Sequence, residues 1–222
     1  MKTPDEIFSD SNILEDTKRP VQTSIRAIVF DADGVLINPT WLFARHLKEK
    51  YRLDRGETKD FFHGPFLDCM EGKANLLSEL APYIKCWGLS LSVEEFIETW
   101  FSLESSIDLK LAGHINDLRQ SNIPCFLATN QEHCRAQYMR HSMKIESYFD
   151  KVFFSCELGV RKPKTEFFKK VADRIGCLPQ EILFFDDSLE FLTGAQASGW
   201  QIAHYTGVES FQTTLKNLNV LR

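Results

Sequence analysis

The chain of 222 residues lacks the segments that direct a protein into or across a membrane. No apolar run approaches the roughly 20 residues that a helix needs to span a bilayer. Residues 1–20 are polar and charged, without the apolar centre of a secretion signal. We therefore expect a cytoplasmic protein with no membrane partner.

The chain also lacks the cysteine patterns of a disulfide framework or a zinc site. Its six cysteines form no Cys-x-x-Cys pair and no cluster with the spacing of zinc ligands. Several lie in apolar segments, which favours buried, reduced thiols in a reducing compartment over a catalytic cysteine. They are Cys69, Cys86, Cys125, Cys134, Cys156 and Cys177.

An excess of positive charge is missing as well. The 31 acidic residues outnumber the 26 Lys and Arg residues, for a formal net charge of -5. Such a chain has no general attraction for nucleic acid or for an anionic membrane surface. If it binds phosphate, a local site or a metal ion must supply the positive charge.

What the sequence does have is an ordinary globular composition, 43% hydrophobic and 26% charged, and a recurring pattern of short apolar runs. These runs have the character of buried strands, and segments with helical spacing alternate with them. The alternation predicts an α/β fold, a Rossmann-like doubly wound parallel sheet. The runs are IRAIVF, IPCFLAT, KVFFS, ILFFDD and QIAHYT.

Residues 39–109 interrupt this alternation. They contain no buried-strand run and show the spacing of several helices, with a break at Gly64-Pro65. An all-helical block between the first two core strands predicts an inserted cap. The catalytic core would then consist of residues 25–38 and 110–222, and residues 1–24 would form a polar N-terminal extension.

Polar side chains stand at the carboxyl ends of the predicted strands, the edge where open α/β sheets bind ligands. Several clustered carboxylates need compensating positive charge, and a hard divalent cation with oxygen ligands, Mg²⁺, is the expected source. A lysine and a hydroxyl beside them suit a phosphate group. The residues are Asp31, Asp33, Thr129, Asn130, Lys162, Asp186 and Asp187.

Spacing suggests roles for the first carboxylates. Asp31 and Asp33 are separated by one residue at a strand end. One can attack phosphorus while the other protonates the leaving oxygen and then activates water. Gly34 permits a tight turn next to the ligand. Pro163 is expected in the first turn of the helix that begins TEFFKK, where it would fix Lys162 just ahead of that helix.

Four segments in this order resemble the motifs of the haloacid dehalogenase-like hydrolases. DADGVLI resembles the first motif, LATNQ the second, the lysine of GVRKPKTEFF the third and FFDDSLE the fourth, and the resemblance covers residues 25–222. It implies a Rossmann-like core and, because the insertion follows the first motif, the helical-cap subgroup.

The resemblance also implies residue roles. Asp31 would be the nucleophile and a metal ligand, and Asp33 the acid/base, with its backbone carbonyl on the metal. Asp187 would touch the metal directly and Asp186 through water.

The phosphoryl group would be held by Thr129 and Lys162, with Asn130 beside them in a partly structural role. Many members carry Asp or Asn at the position of Phe191, so the sequence leaves the partner that orients Lys162 open.

The predicted activity is a magnesium-dependent phosphatase that hydrolyses a small phosphorylated metabolite through an aspartyl-phosphate. The segment ELGVRKP followed by FFDDS also resembles sugar-phosphate phosphatases. A phosphomutase and a catalytically silent interaction protein on the same scaffold are the alternatives. A dehalogenase is disfavoured because halide displacement has no use for the acid/base or for metal carboxylates. The substrate and the oligomeric state stay open.

Overall fold

The computed structural model describes residues 24–220. The predicted N-terminal extension, residues 1–24, therefore lies outside the described residues except for Ser24. The described residues form a five-stranded parallel sheet in the order β3-β2-β1-β4-β5, which confirms the predicted fold class. The strands are β1 (Ala27–Phe30), β2 (Cys125–Thr129), β3 (Lys151–Phe154), β4 (Ile182–Asp186) and β5 (Gln201–His204).

The segment between β1 and β2 is helical. It contains α1 (Leu42–Tyr51), α2 (Arg55–Phe62), α3 (Pro65–Met70), α4 (Leu76–Cys86) and α5 (Val93–Leu103), which we call the helical block. The sequence pattern did not predict α3, because Gly64-Pro65 reads as a break; proline instead begins this helix at its first position. An aromatic-rich cluster of its own holds the block together, with Phe61 and Phe96 almost completely buried.

The remaining helices cover both faces of the sheet. They are α6 (Leu109–Gln120), α7 (His133–His141), α8 (Ser155–Leu158), α9 (Thr165–Ile175), α10 (Leu189–Ala197) and α11 (Val208–Asn217). Successive residues of a strand point to opposite faces, and β1 follows this rule. Ile28 and Phe30 pack with α6, α7 and α11, whereas Ala27 and Val29 pack with α9 and α10. Two apolar layers therefore fix β1 at the centre.

Both ends of the helical block return to the loop after β1. Asn38 N donates to Ser106 O at 3.0 Å, and Asp108 N donates to Leu36 O at 2.8 Å. These two bonds hold the entry and exit of the block side by side, next to the carboxyl end of β1. No helix among the described residues is long and apolar enough to cross a membrane.

Candidate active site

The first two predicted site residues lie where β1 ends. Asp31 N donates to Phe185 O of β4 at 2.9 Å, so the sheet hydrogen bonding continues to the backbone of the residue that carries the carboxylate. The Asp31 side chain is buried. Gly34 turns the chain with a φ of 83°, and a Cβ at this position would clash with the Asp187 carboxylate. Glycine therefore suits this position for two reasons: it adopts the positive φ angle, and it leaves room for Asp187, which follows β4.

Lys162 is the centre of charge in this site. Its side chain is fully buried, and Nζ lies 2.7 Å from Asp186 Oδ2 and 2.9 Å from Asp31 Oδ1. Burial acts to lower the pKa of Lys162, but the charges of Asp31 and Asp186 outweigh it and raise the pKa above its ordinary value. The amine also lies 4.8 Å from the centre of the Phe191 ring. The sequence left open which residue orients Lys162. In the structure, Asp31 and Asp186 contact its amine, and the ring of Phe191 lies beside it.

Asn130 positions the backbone of Lys162. The Asn130 Oδ1 accepts from Lys162 N at 2.8 Å, and Nδ2 donates to Lys162 O at 3.2 Å. Both ends of the amide therefore bond to the backbone of Lys162, and the phosphate contact expected of this side chain stays a prediction. The expected position of Pro163 in the first turn of the helix was wrong, because α9 begins at Thr165 and the proline precedes it by two residues.

The two acids at the end of β4 occupy different environments. Asp186 is fully buried, with Oδ2 on Lys162 and Oδ1 accepting from Ser188 N at 2.8 Å. Burial, and then the charge of Asp31, raise the pKa of Asp186 to about 7 against the opposing effect of Lys162. Asp187 is exposed, and partial desolvation followed by the charge of Asp31 raises its pKa.

These acids and Asp31 fit a divalent cation. Asp31, Asp186 and Asp187 each bring a carboxylate oxygen within 4.8 Å of the others. All the donors are hard oxygens, as magnesium prefers. The Asp31 Oδ1 atom, although buried, accepts no well-aligned hydrogen bond from the described residues. Because both oxygens of Asp186 are already engaged, Asp31 and Asp187 have the freer oxygens for a direct metal bond.

Asp33 lies in the cleft between the sheet edge and the helical block. Its Oδ2 accepts from Gln131 Nε2 at 2.6 Å, and its Oδ1 lies 3.9 Å from Arg135 Nη2. Desolvation in the cleft is the main cause that raises the pKa of Asp33, with Arg135 opposing, although 40% of the side chain surface stays accessible. A raised pKa favours the protonated carboxyl group that a proton donor needs.

Thr129 completes the ring of predicted residues at the end of β2. It is 1% exposed, and its Oγ1 accepts from Gln131 Nε2 at 3.3 Å. The same amide therefore joins the hydroxyl of Thr129 to the carboxylate of Asp33. All seven predicted residues thus meet at one edge of the sheet. The four carboxylates lie there with Thr129 and Lys162, and Asn130 holds the backbone of Lys162.

Comparison with known proteins decides the family. A family model of the haloacid dehalogenase-like hydrolases matches residues 25–199. The chain belongs to this family. A HAD family enzyme from Bacteroides thetaiotaomicron, solved with magnesium and inorganic phosphate, superimposes with a TM-score of 0.72 at 23% identity, over 86% of this chain and 99% of that one. At this identity the likeness shows the shared HAD fold.

Two relatives of this hydrolase are named for substrates of different chemical classes. A D-ribitol-5-phosphate phosphatase of Bacteroides thetaiotaomicron is 27% identical, over 85% of this chain and 91% of its own. A sesquiterpene phosphatase of Aspergillus oryzae is also 27% identical, over 83% of this chain and 91% of its own. One name specifies a polyol phosphate and the other an apolar terpenoid, so the family alone does not choose between these classes.

Sequence reasoning missed two residues of this HAD site, Gln131 and Arg135. Gln131 stands in the LATNQ segment, but nothing in the residue type points to Asp33. Arg135 lies on the buried face of α7 with Ala136 and Met139. A charged residue on the apolar face of a helix is unusual, and this pattern in the sequence could have indicated a functional residue. The Arg135 guanidinium donates to the main-chain oxygens of Phe101, at 3.1 Å, and of Glu104. It thereby joins the end of α5 to the carboxylate of Asp33.

A second missed feature connects the helical block to the hydrolase core. Glu71 is 6% exposed and lies after α3. Its carboxylate pairs with Lys164, with Lys73 at 2.6 Å and with Arg161 at 3.7 Å. Desolvation opposes these cations, but the net effect, led by the hydrogen bond from Lys164, lowers the pKa of Glu71. Arg161 is half-buried in this contact.

Proposed function

We propose that this protein is a magnesium-dependent phosphatase that hydrolyses a phosphate monoester of a small organic alcohol, with Asp31 as nucleophile. The observation that carries the proposal is the placement of Lys162 Nζ within 2.9 Å of Asp31 and 2.7 Å of Asp186, beside Asp187. A fully buried cation there gives the phosphoryl group a fixed partner next to the attacking carboxylate. The phosphate and magnesium in the related HAD structure support the same chemistry.

Asp31, Asp187 and the backbone carbonyl of Asp33 would hold the metal, with Asp186 acting through water. Magnesium bound there would neutralise the carboxylates and polarise the phosphate oxygens. Thr129 and Lys162 would hold the phosphoryl oxygens. Asn130 contributes by fixing the backbone of Lys162 through its two hydrogen bonds.

The two half-reactions follow from the placement of Asp31 and Asp33. An oxygen of Asp31 bonds to phosphorus while the bond to the ester oxygen breaks, and the departing alcohol takes the proton of Asp33. In the second half, Asp33 accepts a proton from water as that water attacks phosphorus and releases Asp31 and inorganic phosphate. Gln131 and Arg135 would keep the Asp33 carboxyl in place in both steps.

We further propose that the helical block acts as the cap expected from the sequence, over core residues 25–38 and 110–222. Its two ends meet beside β1, and Arg135 and Glu71 join it to the core on either side of the cleft. A covering element of this kind excludes water and contacts the part of the substrate beyond the phosphate. The free state of all six cysteines supports the expected reducing compartment, the cytoplasm.

Hydrolysis of p-nitrophenyl phosphate by the metal-stripped protein tests this function. We expect turnover on addition of magnesium, with one free phosphate released per nitrophenol, and none in chelator. Calcium should bind and support little turnover, because its looser coordination misaligns the attack. Nitrophenol release with the phosphate transferred to an added sugar phosphate would indicate the phosphomutase instead. Full activity in chelator, or inactivity of the magnesium-loaded protein, would contradict the proposal.

A further inference from the structure

An apolar cavity lies inside the helical block, between α1, α2 and α5. Its volume is about 290 Å³, close to the lower end of the range for ligand pockets, roughly 300 Å³. Trp100 stacks on Phe43 with ring centres 5.4 Å apart and meets Phe62 edge-on at 5.5 Å. The apolar walls are formed by Phe43, Leu47, Leu53, Phe62 and Trp100.

Two polar groups that line the cavity, Glu104 and Thr58, are already bonded within the block. The Glu104 carboxylate accepts from Trp100 Nε1 at 3.0 Å and from Phe43 N at 3.3 Å. Thr58 Oγ1 donates to Asp54 O at 3.2 Å. The hydroxyl groups of a polyol would lose water here without gaining matched partners, which is unfavourable. The other charged side chains that line the cavity are exposed: Asp54, Arg55, Lys59 and His63.

Glu104 connects one wall of the cavity, through Arg135, to the proposed acid/base. Glu104 lines the cavity, and its main-chain oxygen accepts from Arg135 Nη2. That same nitrogen lies 3.9 Å from Asp33 Oδ1. Because Asp33 is the group that protonates the departing alcohol oxygen, the carbon atoms attached to that oxygen begin beside this wall.

The other end of the cavity opens onto the surface of the block. A groove of about 520 Å³ continues from it over α1, with Ala44, Asp54 and Arg55 common to both. This groove reaches Trp41, whose surface is 48% exposed. A cavity that continues into a surface groove suits an elongated group better than a compact ring.

We propose that this cavity binds the leaving group of the substrate, and that the preferred substrate is the phosphate monoester of an elongated aliphatic alcohol, either a terpenol or a fatty alcohol. The inference rests on the proposed phosphatase function and selects its substrate class. It departs from the sugar phosphate suggested by the sequence, because the cavity offers apolar walls where a sugar needs free hydrogen-bonding groups.

The first test compares kcat/KM across n-alkyl phosphates of four to twelve carbons, with ribitol 5-phosphate and p-nitrophenyl phosphate in parallel. Each buried methylene contributes about 0.8 kcal/mol, so kcat/KM should rise roughly fourfold per carbon until the cavity is filled. Geranyl and farnesyl monophosphates measured beside the straight chains distinguish a terpenol from a fatty alcohol. A flat series, or ribitol 5-phosphate as the best substrate, overturns the inference.

The second test fills the cavity with Ala44→Leu on α1, since Ala44 lines it. We expect kcat/KM for octyl phosphate to fall at least tenfold, and the loss should grow as the alkyl chain of the substrate lengthens. The matched control is Ala81→Leu on α4, which does not line this cavity. In addition, 1-octanol should inhibit the wild type competitively and Ala44→Leu at least fivefold more weakly. Equal effects of the two substitutions would place the leaving group elsewhere and refute the site.

The outcomes separate this inference from the function on which it rests. Magnesium-dependent hydrolysis of p-nitrophenyl phosphate without any preference for alkyl chains retains the phosphatase and removes the apolar site. Loss of every phosphatase activity in the wild type removes both. Chain-length preference that Ala44→Leu abolishes supports both.

Discussion

The sheet edge and the helical block use buried polar groups in opposite ways. At the sheet edge, the side chains of Lys162 and Asp186 are fully buried and contact each other beside Asp31. In the helical block the cavity wall is aromatic and aliphatic, and Glu104 directs its carboxylate to a tryptophan and a backbone amide. In the function proposed above, the edge would supply fixed charge for chemistry, whereas the block would supply an apolar shape for selection.

Among the substitutions at the sheet edge, we expect a change of Asp31, the proposed nucleophile, to reduce activity most. We expect Asp31→Asn to lower kcat by at least about 10⁴-fold, because no other carboxylate is placed to attack. The fold should remain, since removing one of three crowded acids relieves repulsion. Steady-state assays and circular dichroism measure both. Asp173→Asn, an exposed acid on α9, is the control and should behave as wild type. Near-normal turnover in Asp31→Asn would refute its role.

Removing the buried cation should affect activity and stability together. Lys162→Met leaves Asp31 and Asp186 without their partner, so we expect the free energy of unfolding to fall by about 3 kcal/mol. Activity should fall at least about 100-fold. Lys169→Met on the exposed side of α9 should change stability by less than about 0.5 kcal/mol. Urea denaturation at pH 8 measures the difference, and equal stability of the two variants would contradict a structural ion pair.

The pKa of Asp186 predicts a pH effect on the metal-free protein. In the folded state this carboxyl keeps its proton up to about pH 7, but the unfolded chain releases it near 3.8. The folded state therefore binds more protons between these values, and its stability should decline as the pH rises through this window. We expect the advantage of wild type over Asp186→Asn to shrink by about 1 to 3 kcal/mol from pH 5 to pH 8.

Denaturation in chelator at several pH values gives this difference. Asp173→Asn serves again as the control and should keep the pH dependence of the wild type. A difference between wild type and Asp186→Asn that stays constant with pH would show that Asp186 is ionised throughout.

The contact between the two regions should give the smallest effect. Glu71→Gln removes a carboxylate paired with Lys164 and Lys73, both more than half exposed, so we expect a loss of about 1 kcal/mol at pH 7. The pKa of Glu71 is lowered in the fold. Its stabilisation is present above the unfolded value of 4.5 and should disappear as the pH falls through the folded value. Glu98→Gln, exposed on α5, should lose nothing; an effect of Glu71→Gln that grows in acid would contradict this sign.

The strand ends could be predicted from the sequence because each is a local pattern. A buried run followed at once by acids, as at Asp31 and Asp186, reveals both the strand and its edge. The order of such segments then identified the fold. Helix α11 was not predicted, although Val208, Phe211 and Leu215 have helical spacing, and α3 was read as a break because Gly64-Pro65 stands at its start.

The connections between regions could not be predicted, because they join residues far apart in the chain. Arg135 and the carbonyl of Phe101 are 34 residues apart, and Glu71 and Lys164 are 93 apart. The cavity likewise arises where side chains of three helices face one another, and no single helix shows it. Such features depend on packing, which only the folded chain defines.

The central claim is that Asp31 carries the phosphoryl group and Asp33 then activates water to release it. Rapid-quench measurement of covalent phosphate during turnover of p-nitrophenyl phosphate tests it most directly, comparing wild type with Asp33→Asn. The phenolate departs without a proton, whereas the attacking water still needs a base. We predict that Asp33→Asn accumulates phosphate on the peptide containing Asp31 and turns over more slowly. An unchanged steady-state rate without accumulation would contradict the account.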